Sequence, residues 1–379
     1  MCQPDGERKN EDHKKLASRT SQNRSWLRWH RVAAGSPMVA RVLLALTPIL
    51  CGLSAASAQS DIPILSGGAG FFSATQGNNT FFQPVVAPVL VVPFGEKWLV
   101  ESRADLRGFI SRENGSTGPY QGQFLSTLEY LQLDYNANSH LTITAGRFLT
   151  PFGIFNERIS AIWINKFQDA PAMAAIGIAG GYSDGFMLRG ALVSNDRYVV
   201  NYTTYFSTLS NINKLESQRT IGGRLGVFIP RLGLEVGTSY QRKLQGQKMN
   251  SIGTHVSWTP SALPLEIKGE FAHSLSGHGY WIQGGYRLSQ FGGPNSAIGR
   301  LEPVFRMQQF FRSRLIAGDS LPSTNVRRPE FGLNYYLPHE VRLNASYGRQ
   351  FISQSTDVNV WEFGITYRFL FPLLPGGSK

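Results

Sequence analysis

The segment at residues 98–110 places two chemistries on alternate residues. Its apolar side chains share one parity: Trp98, Val100, Ala104, Leu106 and Ile110. Charged side chains occupy the other parity: Glu101, Arg103, Asp105 and Arg107. Because successive side chains of a strand point to opposite faces, the pattern predicts a β-strand with one apolar face and one charged face. A helix would distribute the same charges around its whole circumference.

Similar period-two segments recur from about residue 64 onward, separated by turn-rich pieces. No internal run of about 18 apolar residues occurs, which argues against a helical membrane protein. Short connections such as residues 93–97 and 230–233 alternate with mostly longer, polar ones such as residues 111–122 and 150–181. Short turns at one end and long loops at the other are typical of outer-membrane β-barrels.

The number of strands follows from this alternation. Fifteen segments can be counted from Thr80 onward. A barrel exported through a signal peptide begins on the short-turn side, so an additional strand near residues 66–75 is expected, which makes sixteen. Residues 81–94 are the weakest segment because three prolines remove backbone donors, and a closed barrel has no edge strand that tolerates the loss. Fourteen and eighteen strands remain alternatives.

The N-terminal segment has the layout of a secretory signal peptide. A short apolar run at residues 42–53 follows Arg41, and Ala56-Ser57-Ala58 supplies small residues for cleavage. The leader carries nine of the 37 Lys and Arg residues and four of the 25 Asp and Glu residues, so its removal lowers the net charge from +12 to +7. The basic stretch is therefore part of a leader and is not expected to bind nucleic acid.

This interpretation divides the chain into two parts. Residues 1–58 form an N-terminal extension plus signal peptide, with Met38 as an alternative start, and residues 59–379 form the barrel. Cys2 and Cys51 both lie in the first part, so the barrel cannot be a disulfide scaffold. It must be stabilised by a large hydrogen-bonded architecture instead.

The apolar face of the strands is expected to meet lipid. A soluble β-protein, which is the alternative, would turn that face inward, yet one face supplies too few apolar side chains to fill a barrel of this circumference. A midplane Arg or Lys on a lipid face costs roughly 2–4 kcal/mol, which enforces the segregation. Aromatic residues near strand ends have the distribution of an interfacial girdle: Trp98, Tyr198, Trp258, Tyr286, Trp361 and Tyr367.

The other face then lines a lumen of mixed charge. Parity places these basic residues there: Arg103, Arg107, Arg224, Lys268, Arg287, Arg306, Arg312, Arg342 and Arg368. The acidic residues are Glu101, Asp105, Glu235, Glu266, Glu270, Glu302 and Glu362. Sixteen strands enclose a lumen too wide for wall side chains to fill, and a polar lumen holds water. We predict a solute path along Glu101, Arg103, Asp105, Arg107, Lys268 and Arg306.

The longest connection, residues 150–181, is the strongest candidate for a functional loop. Its residues 159–165 and 173–178 are too apolar for a loop left in water. Folding it inside the barrel would cover this surface and narrow the pore, and Arg158 and Lys166 would then lie at the constriction. The alternative is an external loop that packs on its neighbours or across an oligomer interface.

The strand end before this loop reads Gly146-Arg147-Phe148-Leu149-Thr150-Pro151-Phe152-Gly153. It resembles the phosphate-selective porin family, trimeric outer-membrane anion channels in which a Gly-x-Phe-x-Thr-Pro-Phe strand end leads into a similar long segment. The resemblance implies passive diffusion of anions through a basic constriction, and assembly as a homotrimer. Parity places Arg147 on the face of Ala145, so we expect it at the rim or beside a bulge.

Two histidine patterns admit other chemistry. His255 and Ser257 share a strand face, as the dyad of an outer-membrane phospholipase does, but parity turns them toward the lumen and away from lipid. His273 and His278 flank a turn without a third ligand beside them. We interpret all four as polar lumen or rim residues. No phosphate-binding or dinucleotide fingerprint appears, so no catalytic centre, metal or cofactor is predicted.

Together these features predict an all-β, transmembrane antiparallel barrel of about sixteen strands with an in-folded loop, located in a Gram-negative outer membrane. The predicted function is passive diffusion of small hydrophilic solutes, with a mild preference for anions such as phosphate. The expected partners are outer-membrane lipids and lipopolysaccharide, small anionic or polar solutes and further copies of the chain. The alternatives are a non-channel structural or adhesive barrel and an outer-membrane lipase.

Overall fold

The computed structural model describes residues 62–112, 117–177, 181–210 and 219–373. The predicted leader, residues 1–58, lies outside the described residues. Within the part that is described, no helix combines the length and hydropathy needed to cross a membrane.

Sixteen antiparallel strands form a closed barrel in which each strand pairs with its neighbours in sequence and β1 pairs with β16. The strands are β1 (Ile64–Gln76), β2 (Asn79–Phe94), β3 (Trp98–Arg112), β4 (Tyr120–Asn138), β5 (Leu141–Leu149), β6 (Tyr182–Ser194), β7 (Val199–Ser210), β8 (Arg219–Ile229), β9 (Leu234–Lys243), β10 (Asn250–Trp258), β11 (Leu265–Ser274), β12 (Gly277–Tyr286), β13 (Leu301–Arg312), β14 (Val326–Leu337), β15 (Val341–Ile352) and β16 (Val358–Pro372). A π-helical turn spans Phe155–Ile159, and 3-10 turns span Pro230–Leu232 and Leu288–Phe291. The predicted fold class, including the additional first strand, is confirmed.

The proline-rich segment is accommodated as strand β2. Its ladder with β1 is continuous from Asn79 to Val91. Its ladder with β3 is interrupted twice, at Pro84 and at Pro88 together with the residue before each, because proline has no N–H to donate. The close approach of β1 to β2 requires Gly67, whose φ is +139° and where a Cβ would collide with the carbonyl oxygen of Ala87.

The connections define two ends of the barrel. The loop mouth is the end with residues 113–119, 150–181, 211–218 and 313–325, and the turn mouth is the end with residues 95–97, 139–140, 230–233 and 338–340. Three connections depart from the rule: residues 77–78 and 275–276 form short turns at the loop mouth, and residues 287–300 form a long segment at the turn mouth. In outer-membrane barrels the long loops face the exterior of the cell.

The two faces of the wall have inverted polarity relative to a soluble protein. On β16, Trp361, Phe363 and Ile365 are exposed on the outside, whereas Glu362 and Thr366, which have the opposite parity, are buried inside. The same inversion holds for the other strands, where exposed apolar side chains form a belt around the barrel. Such a belt is the surface that hydrocarbon solvates, so the predicted assignment of lipid and lumen faces agrees with the structure.

Candidate functional site

The long connection enters the barrel directly after β5. The Thr150 and Ser183 hydroxyls lie 2.9 Å apart and join the end of β5 to the start of β6. Gly153 has a φ of +65°, and a Cβ there would lie 2.5 Å from Oε1 of Glu270 on the inner wall. Its backbone N–H donates to Ser239 Oγ at 3.0 Å. Glycine at this position therefore allows the chain to turn inward and approach the wall closely.

An apolar cluster attaches the loop to the inner wall. The loop contributes Phe152, Ile154, Phe155, Ile159, Met173 and Ile176, and the wall contributes Ala272, Trp281 and Phe310. Trp281 is 2% exposed, and its ring meets that of Phe155 edge-on at 6.1 Å. Burial of these side chains explains why a loop this apolar is compatible with a polar lumen. The predicted in-folding of residues 150–181 is confirmed.

Glu270 fixes the first turn of the loop. Its carboxylate accepts the backbone N–H groups of Ile154 and Phe155, the latter at 2.7 Å, and the indole N–H of Trp281 at 3.1 Å. The N–H groups of Ile154 and Phe155 lie just before and at the start of the π-helical turn, where backbone N–H groups have no partner within the turn. A wall carboxylate thus satisfies the start of the loop helix.

A second anchor holds the middle of the loop to β13 and β14. The Asp169 carboxylate accepts from the guanidinium groups of Arg306 and Arg328, and Arg306 also donates to the Asp169 carbonyl oxygen at 2.9 Å. Arg306 also donates to Glu330, and Arg328 forms an ion pair with Glu330 at 3.1 Å. Burial would raise the pKa of Asp169, but the two guanidinium groups outweigh it and lower the pKa to about 2.

The carboxylates of Asp169, Glu330 and Glu362 lie within 4.8 Å of one another, the one such group in the described part of the chain. Arg306 and Arg328 already neutralise the first two. We therefore interpret the group as an ion-pair network that fixes the loop. Arg306 is fully buried within it, so this position does not support the predicted contact with solute.

Lys166 forms a third anchor. Its ammonium group pairs with Glu302 and, at 3.2 Å, with Glu266, which also pairs with Lys268. Burial alone would lower the pKa of Lys166, but the two carboxylates outweigh it and raise the pKa above its ordinary value. Lys166 was expected at the constriction; the structure places it in a buried ion pair between loop and wall instead.

The opposite side of the loop borders open space. A vestibule of about 520 Å³ lies between the loop and the turn-mouth half of β3–β8. Glu157 and Arg158 form its boundary on the loop, and Glu101, Arg189 and Arg224 line it on the wall. Arg158 is therefore the predicted constriction residue that the structure does place beside open space.

The vestibule charges are paired, and two of the three arginines are accessible. Arg158 Nη1 lies 2.8 and 2.7 Å from the two carboxylate oxygens of Glu235, and the Arg158 side chain is 38% exposed. Arg224 pairs with Glu157 at 2.6 Å. Arg189 lies 3.9 Å from Glu157 and is 36% exposed. The Arg158 and Arg189 guanidinium groups can thus meet a solute while carboxylates hold them in place, whereas the Arg224 side chain is only 10% exposed.

Of the charged side chains on β3, Glu101 lines the vestibule and the other three lie farther toward the loop mouth. Arg103 pairs with Glu129 of β4 and donates to Ser160 Oγ of the loop at 3.3 Å. Asp105 and Arg107 pair with each other at 2.8 Å. Glu101 accepts from Gln132 at 3.1 Å. All four predicted β3 residues therefore lie on the lumen side, and Asp105 and Arg107 pair with each other.

The eight-residue motif shapes the wall where the loop begins. Gly146 has a φ of +118°, and a Cβ there would collide with the carbonyl oxygen of Leu131 on β4. Phe148 is fully buried, and its ring packs edge-on against Tyr205 of β7 at 6.2 Å. Pro151 and Phe152 are also buried at the entrance of the loop. The described contacts of the motif fix the geometry of the entrance.

Arg147 lies on the outward parity, as expected. It is opposite Asp184 of β6 and pairs with it at 2.8 Å, on the face that carries exposed Phe186. It also donates to the carbonyl oxygen of Leu128 at 3.3 Å. Glu129, the next residue of β4, is the extra residue of a bulge in the β3–β4 ladder. Arg147 therefore bridges β4 and β6 beside a bulge.

The histidine patterns do not form catalytic sites in the described contacts. The His255 ring lies 3.4 Å from Glu235 rather than at Ser257. His273 and His278 are directly opposite each other on β11 and β12, with ring centroids 6.1 Å apart, on the outer face at the loop mouth. The ring of His278 stacks on Phe311 at 4.9 Å.

Several residues of the site were not predicted. Trp281 and Arg328 share the lumen parity of neighbouring polar residues, so parity alone identifies them as inward-facing. Glu129 faces inward only because of the bulge, and Asp169 lies in a loop without periodicity. No sequence pattern points to the last two.

Comparisons with known proteins support the fold. No family model matches the chain, and no curated protein matches it. Among solved structures, OmpF of Salmonella typhi, determined in complex with daunomycin, superposes with a TM-score of 0.56 at 12% identity, covering 82% of this chain and 98% of that chain.

An anion-selective porin from Comamonas acidovorans superposes with a TM-score of 0.51 at 10% identity, covering 81% of this chain and 99% of that one. OprB of Pseudomonas putida superposes with a TM-score of 0.50 at 10% identity, covering 89% and 98% respectively. At these identities the likeness concerns the fold. The chain has the fold of outer-membrane porins, in agreement with the predicted outer-membrane location.

Proposed function

We propose that the barrel is a passive diffusion channel for small hydrophilic solutes, with a mild preference for anions such as phosphate. The observation that carries this proposal is the open vestibule of about 520 Å³ beside the in-folded loop. The loop fills the lumen along β11–β14, where wall and loop side chains are buried against each other. Solutes would therefore pass along β3–β8.

The charges of the vestibule favour a weak anion bias. Arg158, Arg189 and Arg224 line it against Glu101 and Glu157. An excess of cationic groups raises the local concentration of anions. Each arginine also has a carboxylate near it, which reduces the bias. A mixed lining of this kind suits general anion passage better than selective capture of phosphate.

Conductance in planar bilayers under a KCl gradient tests the proposal. We expect discrete conductance steps and a reversal potential on the anion side. Arg189→Gln should shift that potential toward cation selectivity, because it removes a wall charge from the vestibule. Arg242→Gln is a matched control, since Arg242 is exposed on the outer face of β9. An equal shift in both variants would contradict a path along β3–β8.

Absence of conductance steps would contradict the channel and favour the closed structural or adhesive barrel. Steps with a cation-selective reversal potential would contradict only the anion preference. Competition of phosphate against chloride current tests whether phosphate is among the solutes. The resemblance of the eight-residue motif to phosphate-selective porins also supports a homotrimer. Native mass spectrometry of the detergent-solubilised barrel would detect it, and a monomer would remove the trimer from the proposal while leaving the channel.

A further inference from the structure

The outer face of the barrel distributes its charge unevenly between the two mouths. Exposed arginines lie at the loop-mouth ends of five strands: Arg112, Arg219, Arg242, Arg327 and Arg349. On the described strands, the turn-mouth half of the outer face carries no Lys or Arg. Among strand residues, Lys and Arg therefore border the apolar belt at the loop mouth only, whereas the exposed Lys97, Arg197 and Arg231 of the other end lie in turns. Cations at the loop mouth lie where the headgroups of the outer leaflet would be.

Part of this border is a group of aromatic and basic side chains on β11–β15. His273 is opposite His278, which is opposite Phe311. Arg327 is opposite Phe351, and the guanidinium groups of Arg327 and Arg349 lie 4.8 and 5.4 Å from the centroid of the Phe351 ring. We define these six residues as the rim patch: His273, His278, Phe311, Arg327, Arg349 and Phe351.

The rim patch combines two groups that suit a phosphorylated headgroup. Guanidinium groups bind phosphate through paired N–H donors, and two of them flank one aromatic ring here. Aromatic rings favour the boundary between hydrocarbon and headgroups. Arg349 also pairs with Asp357 at 3.2 Å, but this pair is exposed. An exposed ion pair is weak, so a lipid phosphate can replace the carboxylate.

An apolar furrow on β14, β15, β16 and β1 lies nearer the turn mouth than Arg327 and Arg349. It has a volume of about 430 Å³ and lies between Leu333, Leu343 and Phe363, where Ala345 and Gly364 leave space between larger side chains. Ala345 and Arg349 are on the same face of β15, and four residues of a strand span about 13 Å. An acyl chain whose phosphate is on Arg349 therefore reaches the furrow.

We propose that the rim patch and the furrow together bind a phosphorylated lipid of the outer leaflet, with its phosphate on Arg327 and Arg349 and an acyl chain against Ala345. The site requires only that the barrel is embedded in lipid, and it is independent of conduction. Charge complementarity and the furrow beneath the arginines select a lipid over a free anion.

Titration of the detergent-solubilised barrel with diphosphoryl lipid A, followed by native mass spectrometry, tests the site. Each of Arg327→Gln and Arg349→Gln should weaken binding about fivefold, the contribution of one basic residue near an anionic membrane surface. Asp357→Asn should strengthen binding, because it removes the carboxylate that competes for Arg349. The control is Arg112→Gln with Arg219→Gln, which removes the same two charges as Arg327→Gln with Arg349→Gln at the same end of the barrel.

Equal weakening by the control pair would overturn the site and leave only a diffuse cationic border. Ala345→Leu, which fills the furrow, should weaken binding of lipid A; unchanged binding would remove the acyl-chain contact. Inorganic phosphate should not displace the lipid, and displacement would mean that the arginines bind a free anion. Phosphatidylcholine binding as tight as that of lipid A would overturn the role of charge. Retained conductance or heat-resistant mobility of each variant verifies folding.

Discussion

Replacement of Trp281 by alanine should release the loop from the wall while the barrel stays folded. The Trp281 side chain is 2% exposed, packs against Phe155 of the loop and donates to Glu270, which holds the first turn of the loop. Its backbone belongs to the ladders with Glu270 and Gln308. Those ladder hydrogen bonds do not depend on the side chain, so the loss falls on docking of the loop.

The magnitude follows from the burial of the ring. Truncation of a fully buried Trp to Ala costs about 3–5 kcal/mol, including the cavity that remains. Loss of about 3 kcal/mol raises the population of an undocked loop by roughly two orders of magnitude. The remaining anchors at Lys166 and Asp169 are ion pairs with the wall. They restrain the middle of the loop, whereas Phe155 and its neighbours lose their support.

Limited proteolysis and single-channel recording measure this release. Trypsin should cut after Arg158 in Trp281→Ala but not in the unmodified protein, since the loop is reached only when it leaves the lumen. The open-channel current of the variant should be larger and noisier. Trp361→Ala is the matched control, because Trp361 is 48% exposed on the outer face and touches no loop residue in the described contacts. Circular dichroism verifies that both variants retain their strands.

Unchanged proteolysis and current in Trp281→Ala would refute the apolar anchor. Equal sensitivity of Trp361→Ala would mean that the effect arises from the barrel as a whole. Loss of strand signal in Trp281→Ala alone would show that loop docking and barrel stability cannot be separated.

Two further predictions concern charges near the loop. Arg147→Met should destabilise the barrel in lipid by about 1–3 kcal/mol, because Asp184 loses the guanidinium group that pairs with it on the outer face; urea unfolding measures this, and Arg147→Met with Asp184→Ser should recover part of the loss. Asp169→Asn should increase current noise at pH 7, because the guanidinium of Arg328 loses its loop carboxylate. In the unmodified protein the pKa of Asp169 is about 2, so its contribution is complete above its ordinary pKa and disappears only as the pH falls through about 2. Noise should therefore stay constant from pH 7 to about pH 4, and an increase within that range would contradict this anchor.

Strand parity predicted the wall because the environment imposes it. A charged side chain on the lipid face is costly, so residues such as Glu362 and Trp361 alternate with little exception, and the register that follows is almost forced. The connections added the strand count, since a closed barrel with both termini at one end needs an even number. Even the proline-rich β2 is compatible, because its interruptions affect only the ladder with β3.

The loop contacts could not be predicted in the same way. Asp169 and Arg328 are 159 residues apart, and Lys166 and Glu302 are 136 residues apart. No periodic pattern relates such pairs, because they depend on where the loop crosses a lumen whose shape is set by all sixteen strands. Glu129 was not predicted as a lumen residue for a local reason. One bulge shifts the parity of β4, so the Glu129 side chain, which strict alternation would turn toward lipid, pairs with Arg103.

The position of the loop inside the barrel determines which charged side chains of the lumen still border open space. The sequence predicts that Arg306 and Lys166 line the solute path, yet both form buried ion pairs that position the loop. The selectivity that we propose would then depend on the few charges that still meet open space, such as Arg158 and Arg189. Because carboxylates accompany these arginines, the field in the vestibule is weaker than the excess of basic residues suggests. The ion pairs that hold the loop thus determine where the open space beside it lies, and they explain why the anion preference that we propose is a weak one.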